Sequence, residues 1–271
     1  MKIFANKMKE IMNTFCNSNY YFETACISSD DNGYTIETND YENVIFTKIY
    51  VHKSAFGEYR PLLKPIVISI HDFYNIIRGI PDYTMVNLHI PEYTDDSTGY
   101  IHINYSCKFA NVSKLFTCAI NKTIKTIDCS LMYNNCNYIS TKIPVSSFKF
   151  IASEIGCSKP MNITKRQDDN VCVKIHTYED KITFYYKDSG YNKCNISHPA
   201  MITNHYVSTI LDTNEQSVNF MYYFFIQYKK LLKYASGDVS LILCNGKPLT
   251  LNYKICDNTI GISTIFCPLS N

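Results

Sequence analysis

Residues 217–269 read SVNFMYYFFIQYKKLLKYASGDVSLILCNGKPLTLNYKICDNTIGISTIFCPL, and the pattern in this stretch decides the fold class. Met221, Phe224, Phe225, Tyr228, Leu231, Leu232 and Ala235 recur at helical spacing, which predicts an amphipathic helix over 221–235. The opposite stripe holds Tyr223, Gln227, Lys230 and Tyr234, flanked by Lys229 and Lys233. Ser236, Gly237 and Asp238 predict the stop. Residues 239–244 and 249–255 then predict two strands joined at Asn245 and Gly246, a dipeptide that tight hairpins favour. Taken alone, the three lysines fit a solvated helix face.

The unit recurs, and that changes its meaning. Residues 66–70 predict a strand, 72–78 a helix closed by Gly79, and 85–90 and 100–105 two further strands. The pattern returns as a strand over 139–143, a helix over 147–155 closed by Gly156, and strands over 161–165, 171–176 and 181–186. Helix starts at Asp72, Ser147 and Met221 lie 75 and 74 residues apart. A fourth helix opens the chain, where Phe4, Met8, Ile11, Met12 and Phe15 keep the same spacing. Short helices followed by antiparallel strands, repeated in this way, predict a duplicated α+β domain.

At 271 residues and 46% hydrophobic, the chain can bury a full core in two domains. Its net charge of +2 is uninformative, but the distribution is not. The predicted helices carry Lys2, Lys7, Lys9, Arg78, Lys149, Lys229, Lys230 and Lys233 against Glu10, Asp72 and Glu154, so the field is positive where the helices are. Twelve cysteines form no CxxC pair, and Cys172, Cys194 and Cys244 fall inside strand patterns. No secretory leader pattern opens the sequence, so reduced thiols in an intracellular protein are expected. The five Asn-x-Ser/Thr sequons then follow from an Asn-rich composition. The longest apolar run, 220–226, is too short to span a membrane.

Catalytic patterns are absent from the sequence. Seven histidines show no metal-ligand spacing, and the nine glycines mostly end helices or form turns. The pairs Asp30 and Asp31, Asp95 and Asp96, and Asp168 and Asp169 sit in predicted turns, where solvated carboxylates are ordinary. A Cys/His pair meeting only in space stays open as an alternative. No cofactor or metal is expected.

Four segments carry a family resemblance. FFIQYKKLLKYASGDVSLILCNGKPLTLNYKI (224–255), with the tail ending IFCPL, resembles the C-terminal end of the sliding clamp family of proliferating cell nuclear antigen. KPIVISIHDFYNIIRGIPDYTMVNLHI (64–90) is similar to that family's second helix unit, and TKIPVSSFKFIASEIG (141–156) to its third. ACISSDDNGYTIETND (25–40) resembles the hairpin after its first helix. The matches are in order and span nearly the whole chain. Heavy use of Asn, Ile, Lys and Tyr suits an AT-rich genome such as that of a large DNA virus.

The resemblance implies a DNA-clamp fold: two similar domains of curved antiparallel sheets with short helices on the inner face. The expected divisions are 1–121 and 138–271, with a connector over 122–137 rich in Asn, Thr and Ser. It also implies a homotrimeric ring around double-stranded DNA, closed head to tail by the strands expected over 112–121 and 192–202. DNA contact would fall to Lys7, Lys9, Arg78, Lys149, Gln227, Lys229, Lys230 and Lys233. Mobile ammonium groups suit a protein that must hold phosphates without stopping on them. Phe150, Ser153, Asn75 and Cys16 stand where the family usually carries basic or polar contacts, so this surface is less basic than usual.

A second implied site takes short peptide motifs from DNA polymerase and other replication or repair proteins. By position its lining is Asn43, Val44, Leu131, Tyr133, Pro248, Ile265, Phe266 and Pro268. An IFCP tail is otherwise expected as a last strand folded onto the sheet. The family begins with a strand before the first helix; here there are too few residues for a full one, so a frayed or missing edge is expected. The implied location is intracellular, at sites of DNA replication. Two alternatives stand beside the ring: a monomeric or dimeric processivity or late-transcription factor holding DNA by one basic face, and a thiol or metal enzyme.

Overall fold

The computed structural model describes residues 1–16, 22–40, 45–90, 98–120, 133, 136–157, 172–178, 180–187, 192–205, 216–221, 232–244 and 247–266. Compact packing divides the chain into two units: Met1–Ile127 with Lys254–Ile262, and Asp128–Tyr253 with Ser263–Asn271.

The first unit begins with β1 (Lys2–Phe4) and α1 (Ala5–Cys16). Then come β2 (Thr24–Ser29), β3 (Gly33–Asn39), β4 (Ile45–His52), β5 (Ile66–Ser69), α2 (Ile70–Ile77), β6 (Met85–His89), β7 (Thr98–Cys107) and β8 (Ala110–Ile120). All pairings among these strands are antiparallel, in the order β1-β6-β7-β8-β5-β2-β3-β4. The frayed first edge expected from the sequence is replaced by a short strand. Lys2, Ile3 and Phe4 pair with Asn87, Val86 and Met85, and Ile3 is buried.

Period explains the layers. In α1 the residues Met8, Ile11, Met12 and Phe15 are buried, and in α2 Ile70, Phe73 and Ile77. Phe73 meets Phe116 of β8 edge-on at 5.2 Å, which fixes α2 over the core face of that strand. Along β8, Phe116, Cys118 and Ile120 are buried while Leu115 and Thr117 are exposed, the alternation expected of a half-covered sheet. Lys114 on the core side is the exception. Its ammonium donates to the Ile76 carbonyl at 3.1 Å, capping the carbonyl end of α2.

The second unit holds β9 (Tyr138–Pro144), α3 (Val145–Cys157), β10 (Cys172–Tyr178), β11 (Lys181–Lys187), β12 (Lys193–Pro199), β13 (Met201–His205), β14 (Gln216–Met221) and β15 (Ala235–Leu243). β16 (Leu249–Ile255) and β17 (Ile260–Phe266) follow, and the turn between them, Lys254–Ile262, is counted with the first unit. One sheet runs β16-β15-β9-β13 and a four-stranded sheet runs β12-β11-β10-β14. α3 buries Val145, Phe148, Ile151, Ala152 and Ile155, and Phe148 lies 6.2 Å from Phe184 of β11.

Two expectations change here. The single edge strand expected over 192–202 is two strands in different sheets. Pro199 is the last residue of β12; the Ala200 N–H still donates to the Asp180 carbonyl (2.8 Å) as the next rung on β11, so the N–H that Pro199 lacks is on the open side of the strand. The helix expected over 221–235 does not include its expected end residues. Met221 pairs with Cys172 at the end of β14, residues 232–234 form a 3-10 turn, and Ala235 begins β15. Residues 222–231 lie outside the described set.

The first hairpin follows its sequence signal closely. Asp30 Oδ1 accepts from the Asn32 N–H (2.7 Å) and the Gly33 N–H (3.0 Å), so this carboxylate builds the turn. A Cβ on Gly33 would lie 2.3 Å from the Val51 carbonyl oxygen of β4, a backbone atom that cannot swing away. Gly33→Ala is therefore expected to destabilise the protein by about 1–3 kcal/mol through forced separation of β3 and β4. Urea unfolding with an unchanged m-value would measure it.

Candidate nucleic-acid interface

The helical cations of the first unit differ in how they are held. Lys9 donates to Asp82 Oδ1 at 2.6 Å, and its side chain is 18% exposed against 60% for its partner. Lys7 reaches the Ala55 carbonyl at 3.4 Å from a half-buried position. Both ammonium groups are thus engaged within the unit. Arg78 caps α2 in right-handed helical geometry, its N–H donating to the Tyr74 carbonyl, and its side chain is exposed. His71, seven residues earlier and so on the same side of α2, is exposed too, as is Asp72 in the first turn.

In the second unit Lys149 is half-buried on α3, next to Phe150, which is 61% exposed. Lys233 is exposed in the 3-10 turn, its ammonium 5.2 Å from the Tyr234 ring centroid. Gln227, Lys229 and Lys230 lie outside the described residues. The sequence pattern misses both the Lys9–Asp82 pair and the Lys114 cap, since each joins residues far apart in the chain. Lys114 shares a strand face with Phe116, Cys118 and Ile120, a pattern that could have marked it as needing a partner on the core side.

For the peptide site, the structure fixes Tyr133 firmly. Its hydroxyl lies 2.7 Å from the Pro248 carbonyl oxygen and 2.6 Å from Thr250 Oγ1, and its ring sits 5.5 Å from Tyr138. Pro248 is half-buried. Ile265 and Phe266 are each 1% exposed at the end of β17, so they belong to the core of the sheet and offer no open lining. The reading of a last strand folded onto the sheet describes these two residues. Asn43, Val44, Leu131 and Pro268 lie outside the described residues.

Besides β1, β13 and β14, which end their sheets, two strands keep an unpaired backbone side among the described residues: the interior strand β8 over part of its length, and β12. β8 pairs with β7 through ten residue pairs but meets β5 only at Ala119 and Ile120. The stretch before Ala119 therefore has an unpaired backbone side among the described residues. β12 pairs with β11 along all seven residues and ends its sheet. Cys194, Ile196 and His198 form its half-buried face, and Lys193, Asn195, Ser197 and Pro199 its exposed one.

The whole chain compares closely with known clamps. It superposes on the crystal structure of proliferating cellular nuclear antigen (PCNA) from Entamoeba histolytica with a TM-score of 0.71 and 14% identity, covering 99% of this chain and 98% of that one. Against the PCNA2–PCNA3 complex from Sulfolobus tokodaii the TM-score is 0.71 at 13% identity, covering 100% and 99%. The chain has a PCNA-like fold. No protein-family model and no curated protein matches the sequence.

Within this PCNA-like fold the described cysteines Cys16, Cys26, Cys107, Cys118, Cys136, Cys194, Cys244 and Cys256 are free thiols. Burial pushes Cys16 and Cys244 up to about 11. Cys256 goes further, to about 12, because burial acts together with its hydrogen bond to Glu10 Oε2 (2.6 Å) and the charge of that carboxylate. A nucleophilic thiol needs the opposite displacement. Among the described residues no three His, Cys, Asp or Glu side chains gather as metal ligands, and no helix is long and apolar enough to cross a membrane.

The Cys256 thiol ionises higher folded than its ordinary value of 9.0. Its contribution to stability is thus complete below about pH 9 and is lost as pH rises toward about 12. Iodoacetamide labelling of Cys256, followed by peptide mass spectrometry, is expected to be slow at pH 8 in the native protein. Glu10→Gln should speed it, and unfolding should remove the protection.

Proposed function

We propose that this chain is a DNA sliding clamp: a homotrimeric ring that encircles duplex DNA and raises polymerase processivity by tethering. The observation that carries the reading is the pair of open antiparallel edges, β8 before Ala119 and β12, in a PCNA-like fold. An exposed backbone edge of this length invites a partner strand, and head-to-tail pairing of β8 on one subunit with β12 on the next satisfies both. Residues 122–137 would serve as the connector between the two domains, with Tyr133 pinning it to the start of β16.

The proposed DNA contacts are Arg78, Lys149, Gln227, Lys229, Lys230 and Lys233, with Lys7 and Lys9 contributing field more than direct contact because both are engaged within the protein. Such a surface holds phosphates weakly. That favours retention by topology over the competing reading of a monomeric or dimeric factor gripping DNA by one face, which would need strong static contact. The protein is read as a non-catalytic tether. Recruitment of polymerase and other replication or repair proteins by short peptide motifs completes the proposal, and it places the protein inside the cell with its DNA.

Sedimentation velocity should give a particle about three times the 31.3 kDa protomer. Asn195→Pro removes an outward-facing backbone donor from β12 and should shift that particle to monomer, with circular dichroism retained. The trimer should stay on closed circular DNA at moderate salt and run off the same DNA once linearised. Salt-independent loss from both forms, or a native monomer, would rule the ring out. If about nine phosphates are neutralised in one static pose, log affinity should fall with log salt at a slope near −8, and sliding contacts should give less.

A further inference from the structure

We propose that a cleft in the first unit, bounded by β1, β6, β7 and the loop after β4, is a docking site for an extended acidic segment of a partner protein. The cavity has a volume of about 630 Å³, and it lies wholly within residues Met1–Ile127. It is separate from the DNA-contact and peptide-motif residues discussed above, and the proposal does not depend on the ring.

The loop wall is built in advance. The Lys2 N–H donates to the Glu58 carbonyl (2.8 Å) and the Gly57 N–H to the Lys2 carbonyl (2.9 Å). The Tyr34 hydroxyl donates to the Arg60 carbonyl, and the Leu62 N–H to Ser29 Oγ at 2.6 Å. Tyr34, Phe56 and Tyr59 pack as a trio with centroids 5.2–5.7 Å apart behind these bonds. A wall held in this way loses little freedom when a ligand arrives.

Charge identifies the occupant. Lys2, Arg60 and Lys64 line the cleft, and among the described lining residues the carboxylate is Glu58. Lys2 Nζ at 3.0 Å and Arg60 Nη2 at 2.7 Å share that single carboxylate, two cations against one negative charge at the mouth. The Arg60 side chain is 73% exposed and its fork keeps donors for a second carboxylate. Beside it Leu63 is 75% exposed, a place for an apolar side chain of the ligand.

The facing wall reads backbone. Asn87 stands opposite Asn104, and His89 opposite His102 with rings 5.9 Å apart, all lining the cleft from β6 and β7. Side-chain amides and imidazoles can both donate to and accept from a peptide backbone, which a bare phosphate does not require. A duplex does not enter a cavity of this volume. An extended chain with alternating carboxylate and apolar side chains meets every one of these groups.

The test uses the intact protein and a fluorescein-labelled peptide alternating Glu and Leu, followed by anisotropy and by NMR of the histidine side chains. Binding is expected with movement of the His89 and His102 signals and none at His198 in the second unit. A peptide with Gln in place of Glu, and the Arg60→Ala, Lys64→Ala double variant, should each bind about tenfold more weakly. Leu63→Ser should weaken binding with circular dichroism unchanged. No binding, equal binding of the Gln peptide, unmoved His89 and His102 signals, or full displacement by duplex DNA would each overturn the proposal.

Discussion

Strand β8 carries hydrogen bonds along its whole length on one side and on the other only at Ala119 and Ile120. An edge with so many free N–H and C=O groups must find water or another strand. Much of the first unit follows from that. β7 holds the closed side of β8, and α2 covers its core face through the Phe73–Phe116 contact. Lys114 ties the end of α2 back to the same strand. These contacts make β8 a stiff, preformed edge rather than a fraying one. In the second unit β12 shows the complementary condition, a terminal strand paired with β11 along all seven residues and with nothing paired on its other side among the described residues.

Electrostatics and packing pull against each other in the helices. A lysine that reaches a carbonyl or a carboxylate within the fold is a poorer mobile contact for a phosphate. Lys7 and Lys9 have made that exchange, whereas Arg78 and Lys233 keep exposed positions. The exposed ring of Phe150 next to Lys149 lowers the charge density of α3 further. In the proposed role each phosphate contact is screened and replaceable, so closure of the ring would retain DNA more than these side chains do.

Much of the fold was legible because period survives in each element. Alternation in residues 85–90 and 249–255 marks strands β6 and β16, and the apolar stripe of residues 147–155 marks α3. The Asp30–Gly33 turn was legible because its chemistry is local. Legibility fails where partners are distant. At the first residue of the helical period expected over 221–235, Met221 joins a ladder with Cys172, forty-nine residues earlier, so at that position a distant partner decides the structure. Ile265 and Phe266 looked like groove lining because an apolar tail resembles a ligand-binding patch. Burial at 1% is instead what a final sheet strand produces. The Lys9–Asp82 pair and the basic cleft beside β1 leave no trace in spacing at all.

The low identity to known clamps, 14% and 13%, fits the same physics. A protein that reads no bases and holds phosphates through exchangeable contacts needs its cations to be present on a face, not fixed in place. Its sheets need alternation, which many sequences supply equally well. Positions with one physical answer include Gly33, where a Cβ would strike Val51, and Tyr133, whose hydroxyl lies between Pro248 and Thr250. Side chains elsewhere are free to drift while the backbone edges persist. If the ring closes by edge pairing as proposed, the fold can outlast nearly all of its sequence, because the pairing groups are backbone amides that every residue except proline supplies.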